Sequence, residues 1–107
     1  MKSFILAITG PTGSGKSMTA SKLSKEIERC VNIEVDHVKH MIVNGFIYGN
    51  VPEGVPQWQL LSTNIGMLAK NFQDAGYSVI ISGYLKESSW ENIQKRVTLD
   101  YLRATNR

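Results

Sequence analysis

Residues 10 to 17 read Gly10-Pro11-Thr12-Gly13-Ser14-Gly15-Lys16-Ser17, and this stretch decides how the rest of the sequence is interpreted. It fits the pattern G-x-x-x-x-G-K-[ST], in which glycines let successive backbone N–H groups point at a phosphate chain. An apolar run from Phe4 to Thr9 precedes it, and a helix-compatible segment from Ser17 to Arg29 follows it. Those flanks are the context that the motif requires, because the helix N-terminus adds positive potential. The stretch therefore predicts a site for the phosphates of a nucleotide.

The last two residues of the motif have individual predicted roles. Lys16 would reach the β- and γ-phosphates, and Ser17 would offer its hydroxyl to Mg²⁺. The predicted nucleotide contacts run through the loop and one residue beyond it, and comprise Gly10, Pro11, Thr12, Gly13, Ser14, Gly15, Lys16, Ser17 and Met18. The alternative is an ordinary glycine-rich turn between a strand and a helix, and the match at four fixed positions together with both flanks argues against it.

Length and composition limit the class of protein. A chain of 107 residues, 42% hydrophobic and 20% charged, predicts one globular domain. No run of 18 apolar residues is present, so we expect no membrane span. The single cysteine, Cys30, gives no disulfide framework, and we expect a reducing, cytoplasmic setting. A net charge of +3 is too weak to argue for nucleic acid.

Alternating apolar runs and amphipathic segments predict an α/β fold with a parallel sheet. Strands are expected at about residues 3–9, 31–35 and 78–82, and long helices at about 15–29, 56–75 and 88–104. A short helix is expected near residues 37–43.

The stretch from Asn44 to Pro56 is rich in turn residues and is predicted to be a flap on the substrate side of the phosphate rim. Trp58, just beyond it, is expected either to pack in the core or to form a wall of the substrate pocket.

Asp36 is the second most informative residue. It ends the predicted second strand, and in parallel sheets ligands bind outside the carboxyl ends of the strands. Asp36 is therefore expected on the same rim as the phosphate loop. A carboxylate there would either act on a substrate or cap the short helix that follows, and one residue can do both.

Three stretches resemble the small P-loop kinases: the loop 10–17, the segment from Glu34 to Met41, and the segment from Asp74 to Ser82. The resemblance is to the chloramphenicol phosphotransferase-like group, with zeta-toxin-like, gluconate kinase-like and shikimate kinase-like enzymes as relatives. It implies the three-layer α/β/α fold of P-loop NTPases with strand order 2-3-1. It also implies a reaction, in which the γ-phosphoryl group of ATP is transferred, with Mg²⁺, to a hydroxyl of a small molecule.

The resemblance assigns roles to two acidic residues and makes Lys16 the catalytic lysine. The family places an aspartate at the end of strand two, facing the acceptor hydroxyl, and that role falls on Asp36. A carboxylate there can orient the hydroxyl and accept its proton. Some relatives carry an acidic residue two positions earlier that holds Mg²⁺ through water. That role falls on Glu34, for which a partly exposed strand glutamate is an equal alternative.

Two departures from the family pattern limit the expected activity. Strand three ends in Ser82-Gly83, where many P-loop proteins have an aspartate for Mg²⁺. The sequence also stops before the arginine-bearing lid and the adenine-binding loop, so residues 1–107 are expected to form one incomplete domain with three strands. Strand one would then be open along one edge. Two copies of the chain would associate through that edge or exchange a segment across it, or the edge would simply be exposed. A kinase with a small-molecule acceptor and a nucleotide-binding module with little turnover both remain candidates.

Overall fold

Strands and helices alternate along the part of the chain that the computed structural model describes. That part is residues 3–9, 16–97 and 101–105, with residues 16, 17 and 101–105 described by their backbone alone. The elements in chain order are β1 Ile5–Thr9, α1 Lys16–Glu26, β2 Cys30–Glu34, α2 Val35–Lys39, a 3-10 turn Pro52–Gly54, α3 Val55–Asp74, β3 Ser78–Ser82, α4 Glu87–Arg96 and β4 Tyr101–Thr105.

The strands form one parallel sheet in the order β2-β3-β1-β4. The predicted order 2-3-1 is confirmed, and β3 is buried along its whole length. Side chains on the strands alternate between two core clusters, because successive residues of a strand point to opposite faces. Val79 and Ile81 pack with α3 and α4, whereas Ile80 packs with Ala20 of α1. Helices therefore cover both faces, which is the three-layer α/β/α architecture expected from the sequence.

The end of the chain differs from the prediction. The helix after β3 ends at Arg96 and not at Ala104, and Tyr101–Thr105 forms a fourth strand. β4 pairs with β1 from Ile5 opposite Tyr101 to Thr9 opposite Thr105. The expected sheet of three strands and the expected open edge of strand one are therefore wrong. Pairing with β1 satisfies backbone N–H and C=O groups that a longer helix would have left unpaired along that edge.

α3 is the longest helix of the described part, at 20 residues, and begins and ends within one residue of its predicted bounds. Leu61 and Ile65 are buried against the sheet as the spacing predicts, but Leu68 is 40% exposed. Gly66 lets α4 approach closely, since a Cβ there would lie 3.0 Å from Cδ and 3.3 Å from Cβ of Arg96. Neither α3 nor any other helix in the described ranges combines the length and apolarity needed to cross a membrane.

Cys30 begins β2 and is partly buried, and this burial raises the pKa of its thiol; hydrogen bonding with the backbone of Val31 lowers the pKa to a smaller extent. A raised pKa means a smaller thiolate fraction at any given pH, and the thiolate is the reactive form. We expect the alkylation rate of the folded chain to rise toward its plateau at a higher pH than that of the chain unfolded in urea. Iodoacetamide rates between pH 7 and 10, followed by mass spectrometry, measure both profiles. A folded-state midpoint at or below the unfolded one would contradict the burial argument.

Candidate functional site

The four strands end on one rim of the sheet. Glu34 and Ile8 both lie in register with Ser82, and Thr9 lies in register with Thr105. The loop motif follows Thr9 directly in sequence. Gly10, Pro11, Thr12, Gly13, Ser14 and Gly15 lie outside the described residues. Lys16 and Ser17 are the first two residues of α1, and Met18, which follows them, is exposed. The strand before the motif and the helix after it are thus both present.

The start of α1 suits an anionic ligand. Its first turn carries no acidic residue, and its first backbone N–H groups have no partner within the helix. The helix dipole adds positive potential at this end, at the rim where β1 stops. The structure therefore brings a positive helix terminus to the place where the sequence motif predicts the phosphates.

β2 ends at Glu34, and α2 begins at the next residue. Asp36 therefore lies in the first turn of α2 and is not the last residue of a strand. It does not share a strand face with Glu34. It is not the helix cap either, because the N-cap residue is Glu34. Asp36 is exposed, and its carboxylate forms no hydrogen bond or ion pair with another described residue. A carboxylate at the rim without a structural partner is available to a ligand.

Glu34 has a partner in the structure. Its carboxylate lies 2.9 Å from the Nε2 atom of His37, one turn later, and the pair is an ion pair when His37 is protonated. His40 contacts the main chain, with its Nδ1 atom 2.7 Å from the carbonyl oxygen of Asp36. No cluster of three or more metal-ligating His, Cys, Asp or Glu residues occurs among the side chains that the structure describes.

Gly83 positions α2 at the rim. A Cβ built on Gly83 would lie 2.4 Å from the Cβ of Val35, the first residue of α2, and Val35 is fully buried. Gly83 has φ near +150° and donates a hydrogen bond of 3.2 Å from its N–H to the carbonyl oxygen of Ile8. The end of β3 therefore contacts both the end of β1 and the start of α2. Only a residue without a side chain allows both contacts.

Ser82 is a rim residue to which the sequence analysis assigned no role beyond the absence of an aspartate. It is buried, and its hydroxyl oxygen has no hydrogen-bond partner among the described residues. Mg²⁺ prefers oxygen ligands and usually keeps several waters, held by one or two protein oxygens plus substrate phosphates. An unpaired hydroxyl on Ser82, the residue in register with Glu34 at the strand ends, fits that kind of site. The chemistry of the rim is thus compatible with the Mg²⁺ that the resemblance implies.

A cavity of about 340 Å³ lies next to α2, and we call it the α2–α3 cavity. Its walls are α2, the loop after α2 and one face of α3, and the residues that line it are Val38, Lys39, Met41, Ile42, Phe46, Ile47, Gln57, Trp58, Leu60, Leu61, Asn64 and Leu68. The predicted flap thus contributes Phe46 and Ile47 to this cavity. Leu68 is partly exposed because its side chain forms part of the wall of this cavity.

Gln57 holds the flap against α3. Its Oε1 accepts a hydrogen bond of 2.9 Å from the N–H of Ile47, and its Nε2 donates one of 2.6 Å to the carbonyl oxygen of Gly45. Phe46 also packs edge-on against Tyr48, with ring centroids 4.7 Å apart. A side-chain amide that pairs with the backbone replaces the hydrogen bonds that regular secondary structure would supply. The flap therefore has a defined conformation at the cavity.

Trp58 packs in the core as one of its two expectations had it, and its role in a substrate pocket stays a prediction. It packs partly against the main core and it also lines the α2–α3 cavity. The ammonium of Lys39 lies 5.2 Å from its ring centroid, and that of Lys86 lies 5.6 Å from it. Lys86 also donates a hydrogen bond to Oδ1 of Asn50. Lys86 was not singled out from the sequence, because nothing in its local sequence indicates that β3 and α3 bring it to Trp58.

Neither a protein-family model nor a curated protein matches the sequence. Solved structures do match. A protein named APE1195 has 21% identity and a TM-score of 0.76, over 99% of this chain and 61% of that one. A sugar kinase from Janibacter has 18% identity and a TM-score of 0.71, over 98% of this chain and 60% of that one. An APS kinase from Mycobacterium tuberculosis has 16% identity and a TM-score of 0.70, over 98% of this chain and 76% of that one.

These similarities show the fold alone, because sequence identities of 16–21% do not establish which residues correspond. The chain spans about three fifths of the length of the first two proteins. Two of the three are kinases by name, and the strand order of the sheet agrees with the order expected for such enzymes. The chain therefore has a P-loop kinase-like fold.

Proposed function

We propose that the chain binds ATP with Mg²⁺ and transfers the γ-phosphoryl group to a hydroxyl of a small molecule. The observation that carries this proposal is that β1 ends, and α1 and α2 begin, at one rim of the sheet. The loop motif joins β1 to α1, and the unpartnered carboxylate of Asp36 follows β2, with β3 between the two strands. The kinases among the structural neighbours support the same class of reaction.

The reaction assigns a task to each group. The loop N–H groups, the start of α1 and Lys16 hold the phosphates and balance their negative charge. Asp36 orients the acceptor hydroxyl and accepts its proton as the oxygen attacks the γ-phosphorus. The bond between the γ-phosphorus and the bridging oxygen breaks, so the products are ADP and a phosphate ester. Ser17, with Glu34 and Ser82, would hold Mg²⁺, which would neutralise charge on the β- and γ-phosphates.

A second candidate is a nucleotide-binding module with little or no turnover. Phosphoryl transfer commonly depends on an arginine that stabilises charge in the transition state. Arg29 stacks on Tyr77 at the opposite end of the sheet, 4.4 Å from the ring centroid. Arg96 contacts Asn92 and Thr63 on α4 and α3. Neither of these two arginine side chains is at the rim, and this observation favours the module. Measured consumption of ATP with an acceptor decides between the candidates.

Replacing Lys16 by alanine is expected to weaken ATP binding. A hydrogen bond to a charged group is worth ~1.5–3 kcal/mol, so the affinity for ATP·Mg²⁺ should fall by about ten- to a hundredfold. Isothermal titration calorimetry measures the change directly. Lys22→Ala is the matched control, because Lys22 is an exposed lysine of the same helix. Unchanged affinity in Lys16→Ala, or no ATP binding by the unaltered chain, would remove both candidates.

A further inference from the structure

We propose that the α2–α3 cavity is the acceptor subsite, and that it takes an alcohol that has an apolar body and an anionic group. The assignment of an acceptor rests on the proposed function, whereas the kind of ligand is argued from the cavity itself. Its volume of about 340 Å³ is near the lower end of the range of small-molecule sites, about 300–1,000 Å³.

The lining of the cavity selects an apolar body. Nine of its twelve lining residues are apolar, and the polar ones are Lys39, Gln57 and Asn64. The amide of Gln57 is already used by the backbone of the flap at Ile47 and Gly45. A polyhydroxylated sugar would place several hydroxyls where few partners are available, and unpaired buried hydroxyls oppose binding. A ring or alkyl chain instead removes apolar wall from water.

Lys39 selects an anionic group. Its ammonium lies over Phe46 and Trp58, 5.6 Å and 5.2 Å from the ring centroids, and both rings line the cavity. The aromatic faces hold the cation at the cavity wall. No carboxylate among the described residues pairs with Lys39, so its charge is available to a ligand. Lys86 lies on the ring of the same Trp58 and adds to the positive potential there.

α2 connects this cavity to the rim. Asp36 and Lys39 are three residues apart in α2, so they lie on neighbouring positions of one helix surface, about 5–6 Å apart at their Cβ atoms. A single ligand can therefore present its hydroxyl to Asp36 and its anionic group to Lys39, with its apolar body between α2 and α3. Three contacts would then orient the ligand: the hydrogen bond to Asp36, the ion pair with Lys39 and the apolar packing between α2 and α3.

The test uses 3-phenyllactate, which has a ring, a hydroxyl and a carboxylate, and two probes that each lack one feature. Lactate lacks the ring, and 3-phenylpropane-1,2-diol lacks the charge. Binding to the full chain without nucleotide is followed by NMR on the two tryptophan indole N–H signals. We expect 3-phenyllactate to shift the Trp58 signal saturably. The signal of Trp90, which is 2% exposed and does not line the cavity, serves as the internal control.

The expected discrimination is about tenfold or more in favour of 3-phenyllactate over each of the other probes. Lactate loses the apolar burial of the ring, and the diol loses the hydrogen bond to a charged group. Lys39→Met keeps an apolar stem over the rings but removes the charge. It should reduce the affinity for 3-phenyllactate by about tenfold and leave that for the diol unchanged. Lys22→Met is the control, because Lys22 is exposed on α1, which contributes nothing to the cavity.

The outcomes separate this inference from the proposed function. No saturable shift of Trp58, equal affinity for the three probes, or unchanged affinity in Lys39→Met would overturn the inference. ATP-dependent phosphorylation of gluconate in preference to 3-phenyllactate would also overturn it while supporting the kinase. Selective binding of 3-phenyllactate by a chain that does not bind ATP would support the cavity assignment and reject the kinase.

Discussion

Asp36→Asn is expected to slow phosphoryl transfer by about 10²- to 10⁴-fold, the range that a positioned general base contributes. Asparagine has nearly the same shape as aspartate but cannot accept the proton of the acceptor hydroxyl. The loss should be specific to catalysis, because the carboxylate of Asp36 is exposed and forms no hydrogen bond or ion pair with another described residue. The contact of His40 is to the main-chain oxygen of Asp36, which the substitution retains. The melting temperature should therefore stay within about 1–2 °C of the unaltered chain.

The measurement is the initial rate of ADP formation with a fixed acceptor, together with calorimetric ATP affinity and thermal unfolding. Asp74→Asn is the control. Asp74 is also an exposed aspartate, but it ends α3 and pairs with Lys70 at 3.0 Å, away from the rim. The transfer rate of that variant should be unaltered. A rate for Asp36→Asn within threefold of the unaltered chain would show that another group orients the hydroxyl. A fall in ATP affinity would place Asp36 in the nucleotide site instead.

Gly83→Ala is expected to destabilise the chain by about 3 kcal/mol or more. Two costs act together: forced overpacking of a buried contact and a strained backbone, each of about 1–3 kcal/mol. The new Cβ would lie 2.4 Å from Cβ and 2.7 Å from Cγ2 of Val35, which is buried and cannot move away without shifting α2. φ near +150° at this position also disfavours a residue with a side chain.

Urea unfolding followed by circular dichroism measures the loss of stability. Gly49→Ala separates the two costs, because Gly49 also has a positive φ, of 82°, but a Cβ there would meet nothing within 4 Å. That variant should lose only about 1–2 kcal/mol. Equal losses in the two variants would show that the contact with Val35 contributes nothing. If the Gly83→Ala variant still folds, the displacement of α2 should also reduce its transfer rate, because α2 carries Asp36.

α2 thus connects three features of the molecule. Its first residue, Val35, is held by the end of β3, its second is the candidate base, and its last, Lys39, lies on the aromatic wall of the cavity. Sequence alone predicted a short helix here but began it two residues too late, after Asp36. The reason is that Val35 and Asp36 continue the apolar and polar alternation of β2, so the local pattern does not show where the strand ends. The burial of Val35 beneath Gly83 determines that position.

The last helix shows the same limit of local patterns. Trp90, Ile93 and Val97 are spaced as one face of a helix, and Tyr101 continues that spacing, which predicted a helix to Ala104. Trp90 and Ile93 are buried as predicted, but the helix ends at Arg96. Residues 101–105 pair instead with β1, about a hundred positions earlier in the chain. Periodicity within a segment carries no information about such a distant strand, so the prediction failed where a nonlocal contact decided the conformation.

The strand order 2-3-1 was implied by the resemblance to the small P-loop kinases. By itself, the sequence determined the parallel α/β sheet and the strand–loop–helix context of residues 10–17. Those features depend on local properties, namely continuous apolar runs, helical periodicity and the steric freedom of glycine. Only the tertiary structure decided that β4 covers the edge of β1, that α2 begins at Val35 and that Lys39 and Trp58 meet at a cavity. Each of these depends on contacts between segments far apart in the chain. The loop motif thus predicts that a nucleotide binds, and the surfaces assembled around α2 carry the proposal for what accepts its phosphate.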